Sequence, residues 1–284
     1  GKGSRFFFTI KLSRAKRSEV NRNRMMPDRP LDVFNKHALL AEDTADSRKL
    51  ISLMIAKLGI TSDLAENGKM ALEMYRNGDY DLVLMDGNMP EMDGAEATRA
   101  IRHFERESGR AATPIIALSA KVFADDRDAF IEAGADDFVV KPVSIRALST
   151  AIRKLFRNEE IEVVENEEEP SEDDGYIRFL SRKMGLPYKI TEDLLREFVA
   201  SFPTYIDDIL SSVESGDVKR IEHAAHRLKG VAASYELEPL SAKCALLEEY
   251  ARTGVMDRIG TLPSEIYAEA EKVRVRLESL LVAE

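Results

Sequence analysis

Leu82-Val83-Leu84-Met85-Asp86-Gly87 is an apolar run that stops at a carboxylate. It is too short for an independent helix, and its lack of polar alternation marks a strand covered on both faces, as in a parallel sheet. Working outward, four similar segments read as strands: Ala38–Ala41, Ile60–Ala65, Ile115–Leu118 and Phe138–Val140. The stretches between them repeat their apolar residues near every 3.6 positions, as in Leu50/Ile51/Met54/Ile55/Leu58, Ala97/Ile101/Phe104 and Ile145/Leu148/Ile152/Leu155. Strands alternating with helices predict an α/β, doubly wound, five-stranded parallel sheet with a helix after each strand.

Beyond residue 175 only helical stripes remain: Leu194/Leu195/Phe198/Val199/Phe202, Ile221/Ala225/Leu228/Ala232, Leu240/Cys244/Leu247/Ala251 and Ile266/Ala270/Val273/Leu277. They predict an all-α, antiparallel four-helix bundle with a short leading helix, in which Pro203 should kink or restart the first long helix. Residues 159–174 hold ten acids and no base, a composition that self-repels and reads as a flexible linker. Residues 1–30 are the reverse, with nine basic residues against two acidic, and read as solvated spacer. The organisation expected is therefore 1–12 a leading strand-like segment, 13–36 a basic linker, 37–157 the α/β domain, 158–175 the acidic linker and 176–284 the bundle.

A length of 284 residues fits two domains, and 44% hydrophobic with 32% charged residues excludes collagen-like and wholly disordered chains. The net charge of −10 argues against nucleic-acid binding as the main task, because neutralising phosphates needs surplus Lys and Arg. Cys244 is the single cysteine, which excludes an intrachain disulfide or a cysteine metal knuckle and points to a reducing cytoplasm. No apolar run approaches the roughly 18–20 residues a membrane span needs. The start does not read as a signal peptide, so the chain is expected to be soluble, with any membrane anchoring left to a longer protein.

The strand ends carry the chemistry: Glu42 and Asp43, Asp86, Ser119 and Lys141. In open α/β sheets ligands sit beyond the carboxyl ends of the strands, where strand order reverses. With the order 2-1-3-4-5, three carboxylates crowd there and call for a hard divalent cation such as Mg²⁺. The metal and Lys141 would hold the oxygens of a phosphoryl group while Asp86 attacks phosphorus and Ser119 donates its hydroxyl. A dehalogenase-type phosphatase is disfavoured, because Asn88 stands where that chemistry needs a second Asp.

The segments Leu40-Ala41-Glu42-Asp43, Leu84-Met85-Asp86-Gly87-Asn88-Met89-Pro90-Glu91-Met92-Asp93-Gly94, Ala117-Leu118-Ser119-Ala120 and Val140-Lys141-Pro142 resemble the receiver domain of two-component signalling, over about residues 37–157. The resemblance implies Asp86 as phosphoacceptor and Mg²⁺ held by Glu42, Asp43, Asp86 and the Asn88 carbonyl. It also implies Ser119 as switch hydroxyl, Phe138 as switch aromatic and Lys141 as the phosphate-contacting lysine.

In the second domain His226 lies about 140° from the centre of its helix's apolar face, so the periodicity predicts a solvent-facing imidazole. Gly230, one turn on, leaves room for a partner at a helix cost of roughly 1 kcal/mol, and Lys229 is placed to screen phosphate charge. His223 raises the alternative of a two-histidine metal site, for which no third ligand is apparent. Ala225-His226-Arg227-Leu228-Lys229-Gly230 resembles the histidine phosphotransfer domain over about residues 176–284, with His226 as the phosphorylated residue. Val231 departs from that pattern, as does Glu236, where glycine is frequent.

Gly1-Lys2-Gly3-Ser4 and the alternating residues to Leu12 resemble the last strand of a histidine kinase ATP-binding domain. The whole is similar to the C-terminal part of a hybrid sensor kinase without its ATP-dependent core. The function implied is a phosphorelay: Asp86 accepts phosphoryl from a kinase core, and His226 takes it from an aspartyl phosphate and passes it to a downstream response regulator receiver. The alternative is a phosphorylation-switched binding module whose bundle docks partners and whose His226 is not phosphorylated.

Overall fold

A computed structural model of the chain describes residues 34–119, 124–157 and 175–282. The N-terminal strand-like segment and nearly all of both charged linkers lie outside these residues. The described residues belong to one compact unit.

The α/β part runs β1 (Lys36–Ala41), α1 (Ala45–Lys57), β2 (Ile60–Ala65), α2 (Gly68–Asn77), β3 (Leu82–Asp86), α3 (Gly94–Ser108), β4 (Ile115–Ser119), α4 (Ala124–Ala133), β5 (Asp137–Val140) and α5 (Ile145–Arg157). The strands pair in parallel in the order β2-β1-β3-β4-β5, the order the sequence reading required. β3 and β4 each extend one residue further than expected, so Asp86 and Ser119 are themselves the last strand residues.

Successive residues of the central strands point to opposite faces, and each face has its own core. Leu40, Leu82, Leu84, Ile116 and Leu118 pack with α1 and α5, whereas Leu39, Val83, Met85, Ile115 and Ala117 pack with α2, α3 and Phe130 of α4. α3 starts on a capping box in which the Asp93 carboxylate accepts from Glu96 N and the Glu96 side chain accepts from Asp93 N. A Cβ on Gly94 would lie 1.9 Å from the Asp86 carbonyl oxygen, so this loop closes behind the site only with glycine there.

The helical part comprises α6 (Tyr176–Met184), α7 (Tyr188–Ser215), α8 (Val218–Ser234), α9 (Glu238–Thr253) and α10 (Leu262–Val282). Contacts run α7 to α8, α8 to α9, α9 to α10 and α10 back to α7, the ring of a four-helix bundle, with α6 leading on to α7. Phe198, Phe202, Leu228, Tyr235, Leu247 and Leu277 fill its core, and Phe198 stacks on Tyr235 at 4.5 Å. Burial pushes the Cys244 thiol up to about 12, leaving it an inert core residue.

Of the two outcomes expected at Pro203, a kink or a restart, the restart does not occur: the 28-residue α7 runs through it. The burial of Phe202, Tyr205 and Ile206 on either side holds the helix together where one backbone donor is missing. Among the described residues no helix is long and apolar enough to cross a membrane.

Candidate functional site

β1 and β3 are neighbours with Ala41 opposite Met85, so Glu42 and Asp43 emerge beside Asp86. The carboxylates of Glu42, Asp43 and Asp86 place one oxygen each within 4.8 Å of one another. Lys141, directly after β5, lies between two of them, 2.7 Å from Glu42 Oε2 and 2.8 Å from Asp86 Oδ1. Its backbone N–H donates to the Ser119 carbonyl at 2.7 Å, which fixes the ends of β4 and β5 together. Asn88 is half-buried two residues past Asp86, and Phe138 is half-buried against the second sheet core.

Glu42 and Asp86 are each only 1% exposed. Burial and the neighbouring Asp86 charge push the Glu42 carboxyl up to about 8 against the opposing pull of Lys141. Burial also pushes Asp43 up, but His223 beside it more than offsets that, and Asp43 sits below the usual carboxylate range. Asp43 Oδ2 and Asp86 Oδ2 are buried without a hydrogen-bond partner. A buried cluster of three carboxylates with one ammonium between two of them, and with Asp86 Oδ2 unpartnered, fits a hard divalent cation.

The second centre lies on α8. His226 is buried, at 7% exposure, which overturns the predicted solvent-facing imidazole. Glu248 reaches over from α9, Lys229 closes on the same group, and α1 of the α/β part packs against α8. Helical periodicity measures distance from the bundle's own core and cannot register what covers the opposite face.

His226 Nδ1 is 2.9 Å from Glu248 Oε1, and Lys229 Nζ donates to Glu248 Oε2 at 2.5 Å. Burial pushes the Glu248 carboxyl up, but the hydrogen bond and charge of His226 together with Lys229 outweigh it and hold it at about 2. When the imidazole is neutral, an Nδ1–H donating to the ionised Glu248 Oε1 leaves the lone pair on Nε2. Sequence reasoning missed Glu248, although its position four residues after Cys244 placed an acid on an apolar stripe.

His223 and His226 do not converge on a common metal. His223 Nε2 lies 3.0 Å from Asp43 Oδ2, at ion-pair distance without hydrogen-bond alignment, while His226 turns to Glu248. Among the described residues Glu42, Asp43 and Asp86 form the one acidic or metal-ligating group of three. Gly230, expected on an exposed surface, is half-buried and lines a small cavity together with Lys141 and Leu50. A Cβ there would meet nothing within 4 Å. The two centres thus share one domain boundary.

Comparison with known proteins agrees with this architecture. Residues 38–153 match the response regulator receiver domain and residues 193–278 match the Hpt domain. The aerobic respiration control sensor protein ArcB of Escherichia coli K12 is 34% identical over 245 residues, covering 84% of this chain and 31% of the relative. The sensor histidine kinase GacS of Pseudomonas protegens is 29% identical over 249 residues, covering 83% of this chain and 27% of the relative. Among solved structures, the receiver domain of sensor histidine kinase PA1611 from Pseudomonas aeruginosa, with a magnesium ion coordinated in its active-site cleft, is 34% identical. It covers 42% of this chain and 95% of that one, with a TM-score of 0.39.

The chain carries a two-component receiver domain followed by an Hpt domain. It is homologous to the C-terminal parts of hybrid histidine kinases and spans under a third of the length of these relatives. Its pair of domains, as in hybrid kinases, is consistent with a phosphorelay module.

Proposed function

We propose that Asp86 accepts a phosphoryl group from a phosphohistidine of a kinase core and that His226 takes phosphoryl from an aspartyl phosphate. In the first step an Asp86 carboxylate oxygen attacks phosphorus, the P–N bond to the donor imidazole breaks, and an acyl phosphate forms. In the second, His226 Nε2 attacks that phosphorus, the acyl P–O bond breaks, and the Asp86 carboxylate is regenerated. A downstream response regulator receiver then takes the group from His226. We place the receiver at 37–157 and the phosphotransfer domain at 176–284, joined by the acidic segment 158–175, all in the cytoplasm.

Glu42, Asp43, Asp86 and the Asn88 carbonyl would hold Mg²⁺, which when bound neutralises charge on the phosphoryl oxygens. Lys141 is placed to move from Glu42 and Asp86 to the arriving phosphoryl group, and Ser119 to donate its hydroxyl. Ser119 drawn inward would let Phe138 follow and alter the receiver surface. Glu248 fixes the His226 tautomer, Lys229 screens the phosphoryl charge, and Gly230 keeps the approach to the imidazole low. The observation that carries the reading is spatial: the helix bearing His226 packs on the receiver with His223 against Asp43 and Gly230 beside Lys141.

The test is phosphoryl transfer from a phosphorylated kinase core to the wild-type chain, Asp86→Asn and His226→Gln, with acid and base stability of each product. Expected is acid-stable, base-labile label on Asp86 followed by acid-labile, base-stable label on His226. Asp86→Asn should lose both when this chain's Asp86 is the route, and His226→Gln only the second. Label confined to Asp86 in the wild type would instead support the binding-module reading.

A further inference from the structure

Besides the contacts of His223 with Asp43 and of Gly230 near Lys141, the receiver meets the bundle through a stripe of α1. Asp46, Lys49, Leu53 and Lys57 recur at helical spacing on the side of α1 beside its sheet-facing residues Leu50, Ile51, Met54 and Ile55. Asp46 accepts hydrogen bonds from Tyr205 Oη at 2.5 Å and Ser201 Oγ at 3.1 Å, both on α7. Lys49, one turn along α1, pairs with Glu197, one turn before Ser201 on α7. Lys57 donates to the Gly185 carbonyl, so the same stripe reaches the α6–α7 connection. The apolar core around α1 and α5 is continuous with that of the bundle.

These contacts are polar and matched in sign, and such contacts select partners by the cost of a mismatch. A bundle lacking hydroxyls at the positions of Ser201 and Tyr205 would leave Asp46 half-buried and unpaired. A receiver with an acid in place of Lys49 would set two carboxylates against each other at Glu197. None of these residues is itself a phosphoryl-transfer residue, so the stripe can set partner choice; only Tyr205 adjoins the site, through Arg227, whose guanidinium lies over its ring and 3.9 Å from Asp43.

We infer that Asp46 and Lys49 of α1, with Glu197, Ser201 and Tyr205 of α7, are the pairing determinants that dock this receiver on its own phosphotransfer domain. The inference rests on the relay reading for its functional consequence: transfer from Asp86 to His226 runs within one chain. Tethering the two domains supplies an effective concentration of order millimolar, far above that of a separate molecule.

The experiment uses the full chain loaded at Asp86 with acetyl phosphate and Mg²⁺, then freed of donor. His226 label is followed per Asp86 label at two protein concentrations tenfold apart. The wild type is expected to transfer at a rate independent of concentration. Tyr205→Phe, which removes only the hydroxyl, and Lys49→Glu should each slow transfer about fivefold, and Lys49→Glu with Glu197→Lys should restore it to within about twofold. Hydrogen exchange of α1 and α7 in the unphosphorylated chain reads docking alone and should show protection lost in Lys49→Glu and regained in the swap. Unchanged transfer and unchanged exchange in both single variants would overturn the pairing while leaving the relay standing. A rate proportional to concentration would overturn transfer within one chain. Exchange that follows the swap in a chain that never labels His226 would support the pairing and overturn the relay.

Discussion

Asp86 and His226 are both shut off from solvent, yet their burial has different origins. Asp86 ends a central strand and is enclosed by the strands on either side, so its burial follows from the order of the sheet. His226 lies outside the apolar stripe of its helix and is buried with Glu248 of α9 against it, on a helix that also packs against α1 of the receiver. Their charge balance differs too. The receiver site sets three carboxylates against the Lys141 ammonium, whereas the helical site sets the Glu248 carboxylate against Lys229 and an imidazole. One site is short of positive charge and suited to a metal; the other is already neutralised.

Removing the lysine from each site tests that contrast most directly. Lys141→Met strips the ammonium from two buried carboxylates and should cost about 3 kcal/mol in metal-free buffer by chemical denaturation, against about 1 kcal/mol for Lys229→Met. Equal losses would break the comparison. Magnesium should raise the Tm of the wild type, with about 2.7 kcal/mol expected at a hundredfold excess over Kd, and Asp43→Asn should abolish the rise.

The helical site should show itself in acid. Glu248 is held at about 2 against an ordinary 4.5, so its stabilising contribution is fully present above about 4.5 and is lost as pH falls toward 2. Glu248→Gln should therefore flatten the acid limb of a stability-against-pH curve without changing its shape near neutrality. The same variant should slow phosphoryl transfer to His226 about tenfold, because the hydrogen bond orienting Nδ1 loses its charge.

The smallest effect concerns Glu236, where glycine is frequent in the resembled family. It adopts φ +54, a left-handed conformation that costs an L-residue roughly 1–2 kcal/mol, and it pairs with Lys183 at 2.9 Å. Glu236→Gly should raise stability by about 0.5 kcal/mol once glycine's greater chain entropy and the lost surface pair are counted. A loss of stability would mean that the ion pair outweighs the backbone strain.

The sequence by itself determined the five strands, the bundle stripes and the candidate residues Glu42, Asp43, Asp86 and Lys141. Strand-end position and apolar runs are local properties, and a parallel sheet converts them into a single cluster. The periodicity that located His226 also misjudged its exposure, because a hydrophobic stripe describes one helix against its own bundle. Pro203 did not restart its helix because flanking burial outweighed one lost backbone bond. Only the tertiary structure decided that Glu248 would hold the imidazole, that His223 would face Asp43, and that Asp46 would meet Tyr205 across 159 residues of chain. Those contacts join residues on separate elements, and no local pattern encodes a pairing that exists only after both domains have folded and packed.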